Sequence, residues 1–156
     1  ISRGDWSSDV CSSDLEEIRL NSNERQKEVV EDAQSTTAEV DALENKGIGP
    51  VKSLSIQPGI DDAMANRGAE LFKNMCSACH KMEKKFIGPA LAGVTERRTP
   101  EWIMNMILNP EQMIKEDPIA KKLLVESNMA VMANQNLSEE EARAILEYFR
   151  QFDESN

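Results

Sequence analysis

The stretch CSACH, at residues 76–80, constrains this 156-residue chain more than any other feature. It places two of the three cysteines and the only histidine within five consecutive positions. The two thiols lie about one helical turn apart, and the imidazole follows the second thiol directly. Because all three groups bind metals or react covalently, their clustering predicts that this turn holds a prosthetic group or a metal ion.

Four kinds of site compete for this motif. A structural zinc site needs four ligands, and the chain has no second cysteine pair and no other histidine. A thioredoxin-like redox pair requires a βαβ setting, and the sequence shows no convincing strand alternation. A disulfide between Cys76 and Cys79 would leave His80 without a role. A covalent haem c uses all three groups, because each thiol can add to one porphyrin vinyl group while His80 ligates the iron.

The pattern after residue 60 predicts an all-α domain. Helix-start signals recur along it, namely a short polar N-cap that is twice followed by proline at the first helical position and once by a capping-box glutamate. The predicted N-caps are Asp61 or Asp62, Thr99, Asp117 and Ser138. We expect about four to five helices wrapped round one haem, with long loops at 80–98 and 126–137. Pro110 is expected to stop the helix that begins at Thr99.

The first 60 residues do not share this helical pattern. Residues 5–15, DWSSDVCSSDL, fit no regular period and resemble the translation of a sequencing-library adapter, so residues 1–15 are expected to be a non-native tail that replaces any signal region. Residues 16–46 are polar and acidic, which is typical of a linker or tether. Residues 47–59 contain glycine and proline and are expected to run extended across the folded body. The predicted organisation is therefore 1–15, 16–60 and 61–156.

The charge of the chain is unevenly placed. Its net charge is −10, from 28 acidic and 18 basic residues, which argues against nucleic acid as a partner. A group of basic residues nevertheless flanks CSACH, and we call it the basic collar: Lys73, Lys81, Lys84, Lys85, Arg97 and Arg98. We predict that the collar surrounds the haem edge and attracts the acidic surface of a redox partner. No apolar run in the sequence is long enough to span a bilayer.

Residues 61–152 resemble the single-haem, class I cytochrome c domains of bacteria. The motifs that carry the resemblance occur in the family's order: Gly68 and Phe72 near the end of the first helix, CSACH, IGPAL at 87–91, a methionine in a loop, and Tyr148 in the last helix. The resemblance likewise implies one covalent haem c and an all-α fold, which are features of the family. It does not extend to residues 16–60.

The resemblance also implies roles for three residues beside the motif. The carbonyl of Pro89 would accept the Nδ1 proton of His80 and orient the ring. Gly88 would let the backbone pass close to the haem. Trp102 would donate its indole N–H to a haem propionate, with an ordinary core aromatic as the equal alternative.

The sixth iron ligand must be a methionine, a lysine, the N-terminal amine or nothing, because a second histidine is lacking. Methionine pairs well with histidine in cytochromes c and raises the reduction potential. The resemblance places the ligand in an irregular loop just before the last helix, where NMAVMANQNLSEEE offers Met132 and, less well placed, Met129. We predict Met132. The family often has proline after the ligand, and Ala133 in that place is expected to loosen the loop.

A His–Met site without a vacancy implies an electron carrier rather than a catalyst. The resemblance further implies a periplasmic monomer, tethered to a membrane or lipid through residues 16–60 and serving a respiratory partner. Stretches such as TPEWIMNMILNPEQM also resemble small cytochromes of Bacteroidota-like bacteria, some encoded near nitrous oxide reductase. Two alternatives stay open: the cytochrome domain of a larger periplasmic oxidoreductase, and a haem sensor or peroxidase with a labile sixth ligand.

Overall fold

The computed structural model describes residues 42–156, and these residues contain helices and no strand. The α-helices are α1 (Asp62–Leu71), α2 (Val94–Arg97), α3 (Pro100–Leu108), α4 (Pro110–Glu116), α5 (Pro118–Glu126) and α6 (Glu139–Glu154), and a π-helical turn, Phe72–Cys76, continues α1. The predicted all-α class is therefore confirmed. Within this described part no helix is long and apolar enough to cross a membrane. The predicted tail at 1–15 and most of the predicted linker lie outside the described residues.

Each predicted N-cap begins a helix. The side chains of these residues accept a hydrogen bond from the backbone N–H three positions later: Asp61 from Met64, Thr99 from Trp102, Asp117 from Ala120 and Ser138 from Glu141. The last of these is a complete capping box, because the side chain of Glu141 also accepts from the N–H of Ser138. The four longest helices therefore begin directly after the N-cap residues predicted from the sequence.

Two short helices were not expected. The turn after Gly93 forms α2, inside the predicted loop 80–98. Pro110 ends α3 as predicted, but it is also the first residue of α4, because proline at that position loses no intrahelical hydrogen bond. The expected count of four to five was low for this reason, and Met113 lies buried in a helix rather than in a turn.

The first and last long helices cross at Gly68. A Cβ atom at Gly68 would lie 2.5 Å from the carbonyl carbon of Ala144, so only glycine permits this approach. Beyond the crossing, the ring of Phe72 packs on Tyr148 and Phe149, with centroids 5.5 and 5.8 Å apart. This helix pair places the end of α1, and with it CSACH, against α6.

The π-helical turn changes the direction in which α1 ends. Its wider hydrogen bond runs from the N–H of Ser77 to the carbonyl of Phe72, at 2.9 Å. The inserted residue keeps Phe72 buried in the core while Cys76 reaches the surface of a cavity. Single π-turns of this kind are common at functional sites.

An extended segment, residues 45–57, packs on the helices, and we call it the strap. Its centre is held by Asn105, whose side-chain amide is fully buried. The Oδ1 atom of Asn105 accepts from the N–H of Val51 at 3.0 Å, while Nδ2 donates to the carbonyls of Val51 and Lys46 at 2.8 and 2.9 Å. One side chain thus replaces the backbone pairing that a neighbouring strand would supply.

The ends of the strap are also attached. The hydroxyl of Thr99 donates to the carbonyl of Asn45 at 2.6 Å, and Glu101 accepts from the N–H of Leu54 at 3.2 Å. The described residues, 42–156, accordingly belong to a single compact unit. The domain boundary at residue 61 stays a prediction.

A buried carboxylate joins the N-terminus of α1 to α6. Glu147 is 1% exposed and accepts hydrogen bonds from the N–H of Asp61 at 2.9 Å, from Arg143 at 2.5 Å and from Arg150 at 2.9 Å. Burial raises the pKa of Glu147, but the bonds from Asp61, Arg143 and Arg150 outweigh it and hold the pKa below its usual value of 4.5. The ionised form is therefore the one that the fold stabilises.

Glu147→Gln is expected to lower the free energy of unfolding by about 2 kcal/mol at pH 7, because charge-assisted hydrogen bonds are lost while the half-buried Arg143 and Arg150 remain. Because the folded-state pKa of Glu147 lies below its unfolded-state pKa, the ionised carboxylate stabilises the protein above pH 4.5. This contribution is lost as the pH falls through the folded-state pKa. The variant should therefore lose less stability than the parent between pH 5 and pH 3, measured by urea unfolding. Glu70→Gln, at an exposed position on α1, is the matched control. An equal loss of stability in the two variants would contradict the stabilising role given to ionised Glu147.

Candidate haem site

The CSACH turn presents its three reactive groups to one cavity. The N–H groups of Cys79 and His80 both donate to the carbonyl of Cys76, at 3.0 and 2.9 Å, which closes a tight turn directly after the π-helical turn. Both cysteines are free thiols, and both line the cavity together with His80. The structure therefore brings together the groups that the sequence placed in one motif.

The cavity is a cleft of about 250 Å³ that opens to solvent. Its walls come from the π-helical turn, residues 87–91, α3, α5, α6 and the loop before α6, and they are mainly apolar. The aliphatic and aromatic walls include Phe72, Ile103, Met106, Ile107, Ile145 and Phe149. Because protein interiors are close-packed, an apolar space of this size in a small domain fits a large apolar occupant.

His80 is held in the orientation that a ligating imidazole requires. Its Nδ1 atom lies 3.2 Å from the carbonyl of Pro89, which leaves Nε2 free to bind iron. The predicted Pro89 contact is thus present. Burial lowers the pKa of His80, and the Pro89 hydrogen bond opposes this shift only in part. The imidazole is therefore neutral at physiological pH, as a metal ligand must be.

The structure gives a local reason why position 88 must be glycine, in addition to the one that the resemblance implied. A Cβ atom at this position would lie 2.7 Å from Nδ1 of His80, so the backbone of Gly88 lies flat against the imidazole ring. The N–H of Gly88 also donates to the carbonyl of Cys79, at 2.9 Å. Gly88 therefore fixes the position of the histidine directly.

The surroundings of the two thiols do not favour a zinc site. Burial, with a smaller contribution from the neighbouring Cys79, raises the pKa of Cys76 to about 11. A protonated thiol is a poor zinc ligand, because metals bind the thiolate. Moreover, among residues 42–156 no group of three or more histidine, cysteine, aspartate or glutamate side chains is arranged to hold a metal ion.

The loop before α6 delivers one methionine to the cavity. Met132 is partly buried and lines the same space as His80. Met129 is 62% exposed and is not part of that lining. Turn chemistry from asparagine supports the loop, as expected: Asn134 donates to the carbonyl of Leu108 at 3.2 Å and accepts from the N–H of Asn136 at 2.8 Å. Of the two candidates, Met132 is therefore the one positioned near the site.

The expected role of Trp102 is not supported. Trp102 lines the cavity, but its indole N–H donates to the buried carboxylate of Asp117 at 3.2 Å. Asp117 also accepts from Asn45 and from the N–H of Ala120. The donor that a propionate would need is thus engaged within the protein, which favours the alternative of a core aromatic.

Arg98 fits a propionate better, and the sequence analysis had assigned it to docking. It lines the cavity with its guanidinium carbon 5.5 Å from the centre of the Trp102 ring. Burial, followed by repulsion from Arg97, lowers its pKa. No carboxylate of the described residues lies within 4.0 Å of it. Arg98 and Trp102 lie only four positions apart across a helix start, and this proximity in the sequence is the signal that could have indicated the contact.

The basic collar is less free than expected. Lys81 donates to the carbonyl of Ser77 at 2.7 Å, and Arg97 donates to the carbonyl of Ala92 at 2.8 Å. Lys85 donates to the carbonyl of Glu126. Among collar residues that the structure describes, the ones with no side-chain hydrogen bond are Lys73 and Lys84, and both are exposed. The collar is therefore partly structural.

Comparisons with known proteins agree with this site. A family model described as cytochrome c matches residues 65–153. The solved cytochrome c from Rhodothermus marinus is 50% identical, with a TM-score of 0.67, over 69% of this chain and 92% of that one. A search of curated proteins finds no match.

Two further solved structures extend the likeness. An engineered cytochrome c from Rhodothermus marinus, Rma TDE, bound to a carbene intermediate, is 51% identical, with a TM-score of 0.63, over 68% of this chain and 91% of that one. The cytochrome c domain of the pp3183 protein from Pseudomonas putida is 32% identical, with a TM-score of 0.50, over 54% of this chain and 85% of that one. Since the family model spans more than half of the sequence, the chain belongs to the cytochrome c family, whose cofactor is a covalently attached c-type haem.

Proposed function

We propose that this protein is an electron carrier whose single haem c has His80 and Met132 as axial ligands. Haem-based electron transfer is the activity of the cytochrome c family. The observation that carries the finer proposal is that Met132, alone of the two loop methionines, lines the cavity with His80. The bound haem supplies an iron that gains and loses single electrons.

The other residues of the site have separate roles. Cys76 and Cys79 anchor the porphyrin, and the Pro89 carbonyl keeps His80 oriented and strengthens it as a donor. The Met132 sulfur would fill the sixth position, which leaves no vacancy for a substrate. Arg98 would neutralise a propionate. The apolar walls exclude water and thereby favour a higher reduction potential.

Met132→Ala tests this ligation. The variant is expected to keep its covalent haem, because Cys76 and Cys79 are unchanged, and to lose the far-red thioether-to-iron band of the oxidised protein. Its iron should become high-spin or take another ligand. Its reduction potential should fall by on the order of 0.1 V, within the range of about 0.8 V that axial ligands control. Visible spectra and a redox titration measure both effects.

Met129→Ala is the matched control, because it removes the same kind of side chain from an exposed position three residues before Met132. It is expected to leave the band and the potential unchanged. If the band disappears in Met129→Ala and persists in Met132→Ala, the ligand has been assigned to the wrong methionine.

A second candidate is chemistry at an iron whose sixth position opens. One observation favours it: the engineered Rhodothermus marinus relative is solved bound to a carbene intermediate. The Met132 loop also contains a non-glycine residue, Met129, with φ of 62°, which is an unfavourable conformation. Rapid binding of carbon monoxide to the reduced protein would favour this candidate over the closed carrier. The domain could equally be one part of a larger oxidoreductase.

Partner docking is proposed to occur at the mouth of the cavity. Three apolar side chains, Met75, Ile87 and Val131, both line the cavity and are exposed. The free lysines Lys73 and Lys84 lie on the segments that carry two of them. We therefore propose a redox partner with an acidic, partly apolar surface, and association rates that fall as salt is added.

The proposed setting follows the family. We propose a periplasmic, monomeric carrier, tethered to a membrane or lipid through the N-terminal residues and serving a respiratory enzyme. Nitrous oxide reductase is one candidate partner, supported by sequence resemblance alone. Electron transfer between the purified protein and that enzyme is the assay that decides this point, and no reduction at catalytic rates would remove the candidate.

A further inference from the structure

The loop that carries Met132 begins at a helix end with a particular geometry. Helix α5 closes with a Schellman motif: the N–H of Met129 donates to the carbonyl of Leu124 at 2.9 Å, and the N–H of Asn128 donates to that of Val125 at 3.1 Å. Asn128 takes the left-handed conformation that this motif requires, with φ of 53°. The motif leaves the carbonyl of Glu126, the last helical residue, without a backbone donor among the described residues.

Lys85 supplies the missing donor from a distant part of the chain. Its ammonium group donates to the carbonyl of Glu126, 41 positions away in the sequence. A cation at a helix C-terminus also interacts favourably with the helix dipole. Lys85 is therefore the C-terminal cap of α5, provided by another segment.

That segment is the one that holds His80. Lys85 follows His80 by five positions, and its neighbour Phe86 donates its N–H to the carbonyl of Gly88 at 3.0 Å. Gly88 in turn packs on the imidazole ring and bonds to Cys79. The contact between Lys85 and Glu126 therefore joins the segment that positions the histidine to the loop that presents the methionine.

We propose that Lys85 is a positioning residue that keeps the Met132 loop closed on the iron by capping α5. The proposal rests on Met132 being the sixth ligand. The loop has few other long-range anchors: Asn134 bonds to Leu108, and the remaining asparagine bonds are local. Without proline after Met132, and with Met129 in a left-handed conformation, the loop depends on how its first residues are held.

Lys85→Met tests the proposal, because it keeps a long apolar stem and removes the donor. In the oxidised holoprotein, added imidazole competes with Met132 for iron, and loss of the thioether-to-iron band gives the rate of displacement. We expect displacement to be about five- to tenfold faster in Lys85→Met, as one hydrogen bond from a charged group is lost. Lys85→Arg, which can still donate, should stay within about twofold of the parent.

Lys84→Met is the matched control for charge. It removes the same charge from the adjacent position, whose ammonium makes no hydrogen bond in the described part of the chain. We expect its displacement rate to equal that of the parent. Equal acceleration in both methionine variants would overturn the proposal in favour of a general charge effect, and an unchanged rate in Lys85→Met would also overturn it.

A second measurement follows the loop itself. In Lys85→Met the amide hydrogen of Met129, which closes the Schellman motif, should exchange about five- to tenfold faster, whereas amides in α6 should not change. Unchanged exchange at Met129 would contradict the capping role. Absence of the thioether-to-iron band in the unaltered protein is a different result, because it would overturn the Met132 ligation and the proposal that depends on it.

Discussion

His80→Ala is expected to abolish the native fold as well as the low-spin spectrum. The imidazole packs on Gly88 and bonds to Pro89, and it lines the apolar cleft that is proposed to hold the haem. Ligation of the iron therefore contributes to folding, since metal or cofactor binding to the native state alone stabilises that state. Far-ultraviolet circular dichroism and the visible spectrum of the reduced protein measure the two losses.

Ala78→Ser is the control for this prediction. It changes an exposed position inside CSACH and leaves both thiols and the imidazole in place. We expect it to keep the parent helicity and spectrum. Recovery of the same helicity and the same reduced spectrum from His80→Ala would contradict the role given to the histidine.

Gly68→Val is expected to separate the first and last helices. The closest approach is to the backbone of Ala144, which cannot rotate away as a side chain could. Intrinsic helix propensity favours valine over glycine by a few tenths of a kcal/mol, so any loss must come from the crossing itself. We expect the free energy of unfolding to fall by about 3 kcal/mol or more, as for a strongly overpacked core. Urea unfolding of the holoprotein measures it.

Ala63→Val tests the same side chain at an exposed position of the same helix. It is expected to cost less than about 1 kcal/mol, the scale of helix propensity alone. A similar small cost at Gly68 would show that the helices do not approach as closely as the contact with Ala144 requires.

The features predicted correctly from the sequence are those with local causes. The four polar N-caps mark helix starts because a cap needs only its own side chain and a backbone N–H three residues on. The binding site at CSACH was predictable because its three reactive groups lie within one turn of the chain. The Gly68 crossing and the Pro89 contact were accessible through the family's order of motifs, and both are present.

The features that the sequence did not predict depend on partners far along the chain. Asn105 is an ordinary polar residue in a helix until the strap, 54 positions away, reaches its amide. Lys85 was assigned to the basic collar, and its acceptor is a backbone carbonyl 41 positions away, a group that every residue possesses. The sequence left two roles open for Trp102 because the acceptor of its indole N–H, Asp117, lies 15 positions away.

The π-helical turn had no local signal either. Residues Phe72–Cys76 continue the apolar spacing of α1, so their sequence fits an ordinary α-helix. The wider turn forms where Phe72 must stay among the aromatic rings of α6 while Cys76 faces the cavity. Such a conflict between core packing and a binding site is decided by tertiary structure.

The visible spectrum of the protein, matured with covalent haem, tests the central claim most directly. The spectrum would be recorded oxidised, reduced, and reduced with carbon monoxide. A closed His80–Met132 carrier should give a low-spin c-type spectrum, a far-red thioether-to-iron band when oxidised, and no early response to carbon monoxide. A high-spin oxidised spectrum without that band, together with rapid carbon monoxide binding, would contradict the closed carrier and favour a site open to small ligands.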